Sequence, residues 1–399
     1  MKADKKQAKR IIFLCSLVYM ISYITRSNYG AVISEMVTST GLAKSALSVA
    51  LTGSFITYGA GQLISGWFGD RVQPRTLIAL GLGATSCMNL LIPLCQTPGQ
   101  MTLVWCLNGL AQAFMWPPIV KIMFVALTPE DYSRGCVRVS WGSSIGTIAV
   151  YLAAPLLILT LGWKQVFTFS AVFGFLGIGL WLPFCPKISL TPAKKKSGTK
   201  VTGFRQVLPP LILVMLCIML QGILRDGVTT WMPSYIAETF HLSNEISILA
   251  GVILPVFTIF CYSMANYFYG KIRNPVVCAA WIFGTAAGSS ALLYFFCAGS
   301  PILSVALSAV ITGCMHGVNL MLNGISPTFF AKDGNVSVYS GLLNSCTYIG
   351  SAISAWLIPL ASESAGWNAA IGIWALVALA GLLLSAVCLP LFPTKLDKH

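Results

Sequence analysis

The chain has 399 residues, of which 56% are hydrophobic and 9% are charged, with a mean hydropathy of +0.79. Soluble globular proteins carry about 25% charged residues, so this composition excludes that class and indicates a polytopic membrane protein. The formal net charge is +14, but the cations flank apolar segments and are not interleaved with aromatic residues. The charge therefore argues against a nucleic-acid partner and leaves the lipid bilayer as the surroundings.

The first apolar segment runs from Ile11 to Ser34 and follows the basic stretch MKADKKQAKR. It is too long for a signal peptide and has no small-residue cleavage signature near its end, so we predict a retained first helix. Its single charge is Arg26, within YITRSNYG. An arginine at the centre of a membrane helix costs about 2.5 to 3.5 kcal/mol on insertion scales, so something in the protein must compensate for it.

Apolar runs long enough to cross a bilayer recur along the rest of the chain. The longest polar stretch, PKISLTPAKKKSGTKVTGFR, lies at the midpoint. We predict an all-α membrane protein with an N-terminal six-helix half (1–186), a cytoplasmic linker (187–206) and a C-terminal six-helix half (207–399). The twelve predicted spans are 11–34, 45–68, 75–96, 101–126, 135–160, 164–184, 207–237, 246–269, 275–297, 301–329, 336–361 and 367–391.

The distribution of lysine and arginine tests this topology. With the N-terminus inside, twenty-one of the 25 basic residues fall on the cytoplasmic side. Only Lys44 and Lys164 fall outside, while Arg26 and Arg225 lie within spans. Such an asymmetry follows the positive-inside rule and predicts a multi-pass plasma-membrane protein with both termini cytoplasmic.

The two halves also share landmarks at a nearly constant offset. Arg26 aligns with Arg225, and Gly69 in FGDRVQPR aligns with Gly270 in YGKIRNP. Ile145-Gly146 aligns with Ile349-Gly350. Six spans per half make these parallel repeats about an axis along the membrane normal, an arrangement in which substrate binds at mid-membrane between the halves.

The two arginines are the central candidates for substrate binding. Each lies about 22 to 28 Å along its helix from the cytoplasmic start, at 1.5 Å per residue, and therefore near the bilayer midplane. Guanidinium forks are suited to bidentate capture of an oxyanion such as phosphate. Polar stripes on the arginines' own spans and on neighbouring spans are predicted to line the site, or alternatively to bond helices together; they include Tyr19, Tyr23, Gln62, Asn319, Asn323 and Tyr348.

Two further side chains are candidates for proton coupling. His316 shares a predicted helix face with Asn319, although it is equally interpreted as a hydrogen-bonding residue. Asp226 is the only acidic residue deep in a span, directly after Arg225. Because successive helical residues are turned by about 100°, we predict that Asp226 points away from the face of Arg225.

The sequence contains no phosphate loop, nucleophile elbow or zinc-ligand spacing. We therefore predict neither an enzyme nor a metal or cofactor site, and no catalytic residue is assigned.

Several motifs resemble known families. SGWFGDRVQPR resembles the loop between the second and third helices of the major facilitator superfamily. This resemblance covers the whole twelve-helix chain and implies a conformational-gating role for Gly66, Asp70, Arg71 and Arg75. YITRSNYGAVISEM, AFMWPP and LRDGVTTWMPSYI resemble the organophosphate:phosphate antiporters, whose paired cavity arginines correspond to Arg26 and Arg225. The resemblance extends the implied substrate contacts to Tyr19, Tyr23 and Tyr348.

The chain departs from the antiporter pattern at three positions. Gln62 stands where characterised bacterial members carry a lysine, Ser144 or Ile145 where they carry a histidine, and Thr230 where they carry an aspartate. Both arginines are kept, whereas a cation, a titrating group and an acid are lost, which leaves the sugar moiety, the proton linkage and obligatory exchange open.

These observations predict a secondary transporter of a phosphorylated or other anionic small organic solute, working as a monomer by alternating access in exchange for inorganic phosphate.

Two alternatives stay open. One is a proton-coupled symporter of sugar acids or carboxylates, and the other is a transporter-like sensor that binds its ligand without moving it.

Overall fold

The computed structural model describes residues 4–42, 44–185, 202–241, 253–296, 299–331 and 335–392. Throughout these ranges the regular structure is helical and contains no strand. Nine of the described helices are long and apolar enough to cross a membrane. The predicted all-α membrane fold is confirmed.

The helices form twelve segments, which we number as the first to twelfth spans. The fourth and tenth spans are each built from two helical pieces, and the last two spans form one helix that is divided at Gly366 (φ 78°, ψ 173°). In chain order the helices are Lys5–Thr40, Lys44–Gly69, Pro74–Leu91, Pro98–Gln112 with Trp116–Ala126, Pro129–Leu161, Trp163–Phe184, Thr202–Phe240, Ile253–Ile272, Pro275–Phe296, Pro301–Asn319 with Pro327–Phe330, and Val336–Cys388.

Local sequence signals set several helix ends. Asp4 and Gln7 form a capping box at the start of the first span, and Gly41 ends it in the left-handed conformation (φ 69°). Thr97 and Thr128 cap the fourth and fifth spans through their hydroxyl groups. These residues satisfy backbone groups that have no partner within the helix. The first predicted segment, 11–34, was therefore too short at both ends.

Two spans depart from regular α-helix. The fourth breaks between Gln112 and Trp116, as the Trp-Pro-Pro sequence predicts, because proline lacks the N–H that a helix interior needs. The tenth contains a π-helical turn over Leu320–Ile325. The tenth span was predicted as one uninterrupted segment, 301–329, so the turn was not predicted, although Gly324 lies within it and Pro327 follows it.

The described chain divides into two compact units. One contains residues 4–185 and 335–345, and the other contains 202–331 and 346–392. The start of the eleventh span thus groups with the first unit. The division predicted at 187–206 falls largely outside the described residues and stays a prediction.

Within the first unit the spans pack in pairs. The first lies against the fifth, the second against the fourth, and the third against the sixth. Close approach depends on small residues: a Cβ added at Gly146 would lie 2.4 Å from the carbonyl oxygen of Met20, and one at Gly109 would lie 2.3 Å from that of Ser54. Small residues at crossings let membrane helices approach closely.

The second unit repeats this pairing by itself. A Cβ added at Gly350 would lie 2.1 Å from the carbonyl oxygen of Met219, which brings the eleventh span against the seventh. The eighth span packs against the tenth, and Gly381 of the twelfth faces the ring of Phe283 in the ninth. Gly146 and Gly350, aligned by sequence, therefore occupy equivalent crossings in their own units.

Candidate functional site

Arg26 lies among aromatic rings in the first unit. Its Cζ atom is 4.1 Å from the ring centroid of Tyr58, 5.6 Å from that of Tyr23 and 5.8 Å from that of Phe55. Tyr58 and Phe55 belong to the second span, whereas Tyr23 precedes Arg26 by one helical turn. The faces of aromatic rings attract a cation within about 6 Å. These rings supply part of the compensation that the sequence requires for Arg26.

A buried network of amides and hydroxyls fixes the first span beside Arg26. Asn89 donates to the carbonyl oxygen of Thr25 (2.9 Å) and accepts from Asn28 (2.6 Å). Gln112 donates to the hydroxyl oxygens of Thr25 (2.8 Å) and Thr85 (2.9 Å). All five side chains are at most 2% exposed. The network joins the first, third and fourth spans and so holds the helix that carries Arg26.

Tyr19 and Tyr23 form one aromatic group with Trp116. The ring centroids of Tyr19 and Tyr23 are 5.2 Å apart, and those of Tyr19 and Trp116 are 5.4 Å apart. Tyr19 is buried, and Tyr23 is partly exposed. The break in the fourth span places Trp116 at the start of a new helix, beside the first span. The structure thus brings both predicted tyrosines and Arg26 together through Tyr23.

Gln62 is fully buried in the second span, one turn beyond Tyr58. Its Nε2 atom donates to the carbonyl oxygen of Ala113 at 3.3 Å, in the break of the fourth span. Its Oε1 atom has no hydrogen-bond partner among the described residues. The side-chain amide of Gln62 therefore provides a hydrogen-bond donor to the Ala113 carbonyl in the helix break. The role of Gln62 in substrate binding stays a prediction.

Arg225 pairs with Asp226 in the second unit, which corrects the prediction that Asp226 points away. The Nε and Nη2 atoms of Arg225 lie 2.6 and 2.8 Å from the two carboxylate oxygens of Asp226. The hydroxyl of Ser351, on the eleventh span, donates to the same carboxylate. The two Cβ atoms diverge around the helix, but the long methylene chain of arginine lets its guanidinium turn back to the neighbouring side chain.

Tyr348 and His316 lie in the same unit. The Cζ atom of Arg225 is 6.0 Å from the ring centroid of Tyr348, which is 9% exposed. His316 shares a hydrogen bond of 2.9 Å between its Nδ1 atom and the hydroxyl of Tyr262. The hydrogen bond agrees with the simpler of the two interpretations of His316, and proton coupling stays a prediction.

The predicted stripe of His316, Asn319 and Asn323 does not continue as a regular α-helical face. Asn319 ends the α-helical part of the tenth span, and Asn323 lies inside the π turn, 2% exposed. A π turn holds more residues than an α turn, so the i, i+7 spacing no longer places Asn323 above His316. Asn319 and Asn323 both remain candidate substrate-binding residues, although one lies at the end of an α-helix and the other in a π turn.

The predicted gating loop contacts the start of the eleventh span inside the first unit. Asp70 accepts hydrogen bonds from the backbone amides of Ser337 (3.4 Å) and Val338 (2.9 Å) and forms a 2.8 Å salt bridge with Lys121. Gly66 packs against the backbone of Ser337, where an added Cβ would lie 2.8 Å from the carbonyl oxygen. A carboxylate at a helix N-terminus is favoured by the helix dipole. Asp70 therefore connects the predicted gating loop to the start of the eleventh span.

The loop's two arginines contact other elements. Arg71 donates to the carbonyl oxygen of Trp67 at 3.0 Å and lies over that ring. Arg75 donates to the carbonyl oxygen of Leu182, and the indole of Trp181 donates to the carbonyl oxygen of Arg75. Arg71 and Arg75 therefore do not join the Asp70 group in this structure.

Sequence reasoning missed several members of these groups. From its place near the cytoplasmic end of the fourth predicted span, the sequence places Lys121 at the lipid headgroups, but its side chain is 11% exposed and paired with Asp70. Phe55 and Tyr262 were not assigned to the site. Tyr58 carried a signal, because it stands one helical turn before Gln62. Among the described residues, no group of three or more His, Cys, Asp or Glu side chains is placed to hold a metal ion.

Comparison with known families gives one match that covers most of the chain. The sequence profile of the Major Facilitator Superfamily matches residues 15–325. Solved structures share the fold: the chain superimposes on the transporter FucP with a TM-score of 0.77 (11% identity, 94% of this chain and 98% of that chain). The proton:xylose symporter XylE gives a TM-score of 0.75 (13% identity, 95% of each chain).

Curated relatives indicate a narrower group of proteins than the superfamily match does. The chain is 23% identical to the membrane sensor protein UhpC of Salmonella typhimurium, over 96% of this chain and 91% of that protein. It is 24% identical to the glycerol-3-phosphate transporter of Bacillus subtilis, over 92% of this chain and 89% of that protein. A probable hexose phosphate transport protein of Chlamydia trachomatis is 28% identical over 40% of this chain and 36% of its own length. These relatives agree with the predicted resemblance to organophosphate:phosphate antiporters.

Proposed function

Because the chain belongs to the Major Facilitator Superfamily, we propose that it is a secondary active transporter of a phosphorylated or other anionic small organic solute. It exchanges this solute for inorganic phosphate by alternating access. The observation that carries the proposal is the presence of one arginine within a span of each unit, at positions that align by sequence. Relatives named for the transport of glycerol 3-phosphate and hexose phosphates support the choice of solute.

The two arginines are the proposed anion-binding groups. Arg26 is surrounded by Tyr58, Tyr23 and Phe55, which attract a cation but bring no negative charge of their own. An anion at 4 Å from one guanidinium gains about 4 kcal/mol at an effective dielectric constant of 20. That gain is comparable with the cost of inserting an arginine at the helix centre. The free energy gained on binding the anion therefore offsets the cost of placing an arginine within the membrane.

The remaining site residues take supporting roles in this proposal. Tyr19, Tyr23 and Tyr348 are proposed to offer hydroxyl groups to the anion, while Gln62, Asn319 and Asn323 supply amides for the organic part of the solute. Gly66, Asp70, Arg71 and Arg75 form the gating loop. The protein is proposed to act as a monomer in the plasma membrane, with both termini cytoplasmic.

The test is counterflow in proteoliposomes preloaded with inorganic phosphate. We expect external labelled phosphate to enter only when phosphate or an accepted organophosphate is inside. Arg26→Lys and Arg225→Lys keep the charge but lose the bidentate fork, so each is expected to reduce exchange strongly. Absence of exchange across a panel of phosphate esters and carboxylates, with correctly folded protein, would refute the proposal.

A sensor is the second candidate, because one relative that covers nearly the whole chain is named a membrane sensor protein. A sensor binds a phosphate ester in purified form but shows no counterflow. Titration calorimetry and counterflow on the same preparation distinguish the two functions: binding with exchange supports the transporter, and binding without exchange supports the sensor.

The proton-coupled alternative is tested with the same vesicles. It predicts uptake that is driven by an imposed pH gradient without internal solute. In that case His316→Gln or Asp226→Asn would abolish gradient-driven uptake. The exchange mechanism predicts that a pH gradient alone drives no accumulation in the wild-type protein.

A further inference from the structure

The carboxylate of Asp226 occupies one edge of the Arg225 guanidinium. Both contacts are short, 2.6 and 2.8 Å, and they use the edge formed by Nε and Nη2. Parallel N–H···O bonds to two oxygens are also how a guanidinium grips a phosphate. A phosphate group that takes this edge must therefore displace the carboxylate of Asp226.

Asp226 has a second anchor that does not depend on Arg225. The hydroxyl of Ser351, from the eleventh span, donates to one of its carboxylate oxygens. A carboxylate that leaves the guanidinium edge can keep this hydrogen bond. Because the carboxylate depends on this hydroxyl more once Arg225 has left, Ser351 lowers the cost of displacement; a buried anion without donors is strongly destabilising.

The displaced carboxylate also stays close to the incoming anion. Asp226 is the next residue to Arg225, so the backbone keeps its charge beside any group bound to that guanidinium. Like charges repel in proportion to the product of their charges. A dianion therefore loses more of its binding energy to Asp226 than a monoanion of similar shape does.

We infer that Asp226 is a specificity-determining residue that competes with the substrate anion for Arg225 and penalises highly charged anions. Such competition suits a carrier, because a solute must bind strongly enough to enter and weakly enough to leave. The inference rests on the proposed function, since it takes Arg225 to be a substrate-binding group.

The test compares the wild-type protein with Asp226→Asn by titration calorimetry in detergent. The probes are inorganic phosphate at about pH 8, where it is mainly a dianion, and dimethyl phosphate, a monoanion. We expect the variant to bind inorganic phosphate about tenfold more tightly, which corresponds to about 1.4 kcal/mol. Removal of the competing carboxylate helps both probes, but its repulsion acts twice as strongly on the dianion, so dimethyl phosphate should gain clearly less, about threefold.

Asp226→Glu is the matched control, because it keeps the carboxylate. Its affinity for inorganic phosphate should stay closer to the wild-type value than to that of Asp226→Asn. A wild-type protein that binds neither phosphate nor any phosphate ester would refute the proposed function itself. Wild-type binding that Asp226→Asn leaves unchanged, weakens, or strengthens equally for both probes would overturn this inference alone.

Ser351→Ala carries the test if Asp226→Asn does not fold. Loss of the hydroxyl leaves the displaced carboxylate without this donor, whereas in the undisplaced state Arg225 still satisfies it, so the loss costs more after displacement and inorganic phosphate should bind about threefold more weakly. Unchanged or tighter binding in a folded Ser351→Ala protein would contradict the proposed displacement.

Discussion

The Cζ atom of Arg26 lies 4.1 Å from the ring centroid of Tyr58, a side chain that is 2% exposed. Its counterpart by sequence, Arg225, instead lies against the carboxylate of Asp226. The two units thus compensate aligned arginines in different ways. One uses the electron-rich faces of aromatic rings, and the other uses a formal negative charge.

The contact between Arg26 and Tyr58 leads to the first prediction. Tyr58→Leu removes the ring and should lower stability by about 1 to 2 kcal/mol more than Tyr58→Phe, which keeps it. The measurement is the thermal unfolding midpoint of purified protein, followed by tryptophan fluorescence.

Phe55→Leu is the control for this experiment, because that ring lies farther from Arg26, at 5.8 Å, and is 44% exposed. Its effect should be smaller. Repeating the Tyr58 pair in an Arg26→Met background should remove most of the difference between leucine and phenylalanine. A difference that persists without the cation would show that the ring acts through packing alone.

The salt bridge between Lys121 and Asp70 leads to the second prediction. The side chains are 11% and 4% exposed, so Lys121→Met leaves a buried carboxylate without its ammonium group. Loss of one member of a buried pair costs about 3 to 5 kcal/mol. We expect a large drop in the unfolding midpoint, partly restored by the double variant Lys121→Met with Asp70→Asn.

An exposed pair in the same unit provides the comparison. Arg134 and Asp131 are 3.7 Å apart and 69% and 28% exposed. Arg134→Met should cost at most about 1 kcal/mol, because water screens such pairs. Equal effects of Lys121→Met and Arg134→Met would contradict the assignment of a buried role to Lys121.

The crossing of the seventh and eleventh spans leads to the third prediction. A Cβ at Gly222 would lie 2.1 Å from the carbonyl oxygen of Thr347, so Gly222→Ala must push the two helices apart. Overpacking of this kind costs about 1 to 3 kcal/mol. The shift should also weaken phosphate binding, because Arg225 lies one turn beyond Gly222.

Gly288→Ala is the matched substitution in the ninth span. Among the residues that the structure describes, no heavy atom outside this helix lies within 4 Å of the position of an added Cβ. Alanine is favoured over glycine in a helix interior by about 0.5 to 1 kcal/mol, so this variant should be neutral or more stable. A Gly222→Ala protein as stable and as active as Gly288→Ala would show that the crossing tolerates a wider separation.

The sequence by itself determined the membrane class, the all-α fold, the twelve spans and the family. These properties follow from long apolar runs and from the chemistry of helix ends, which act over a few residues and can be read locally. It also identified Arg26 and Arg225, because a charge within an apolar span is conspicuous. The break in the fourth span also has a local signal, the Trp-Pro-Pro sequence, since proline lacks the backbone N–H donor that a helix interior needs.

Only the tertiary structure decided which side chains compensate those charges. Helical periodicity predicts that Asp226 points away from Arg225, yet the flexible arginine side chain reaches its carboxylate. Tyr58, Phe55 and Trp116 come from spans whose order along the chain does not reveal their distance from Arg26. Lys121 lies near the end of an apolar span, where the sequence alone places it at the headgroups, but in the folded protein it pairs with Asp70. Helix periodicity fixes where Cβ atoms point, whereas long side chains and neighbouring spans decide which groups meet.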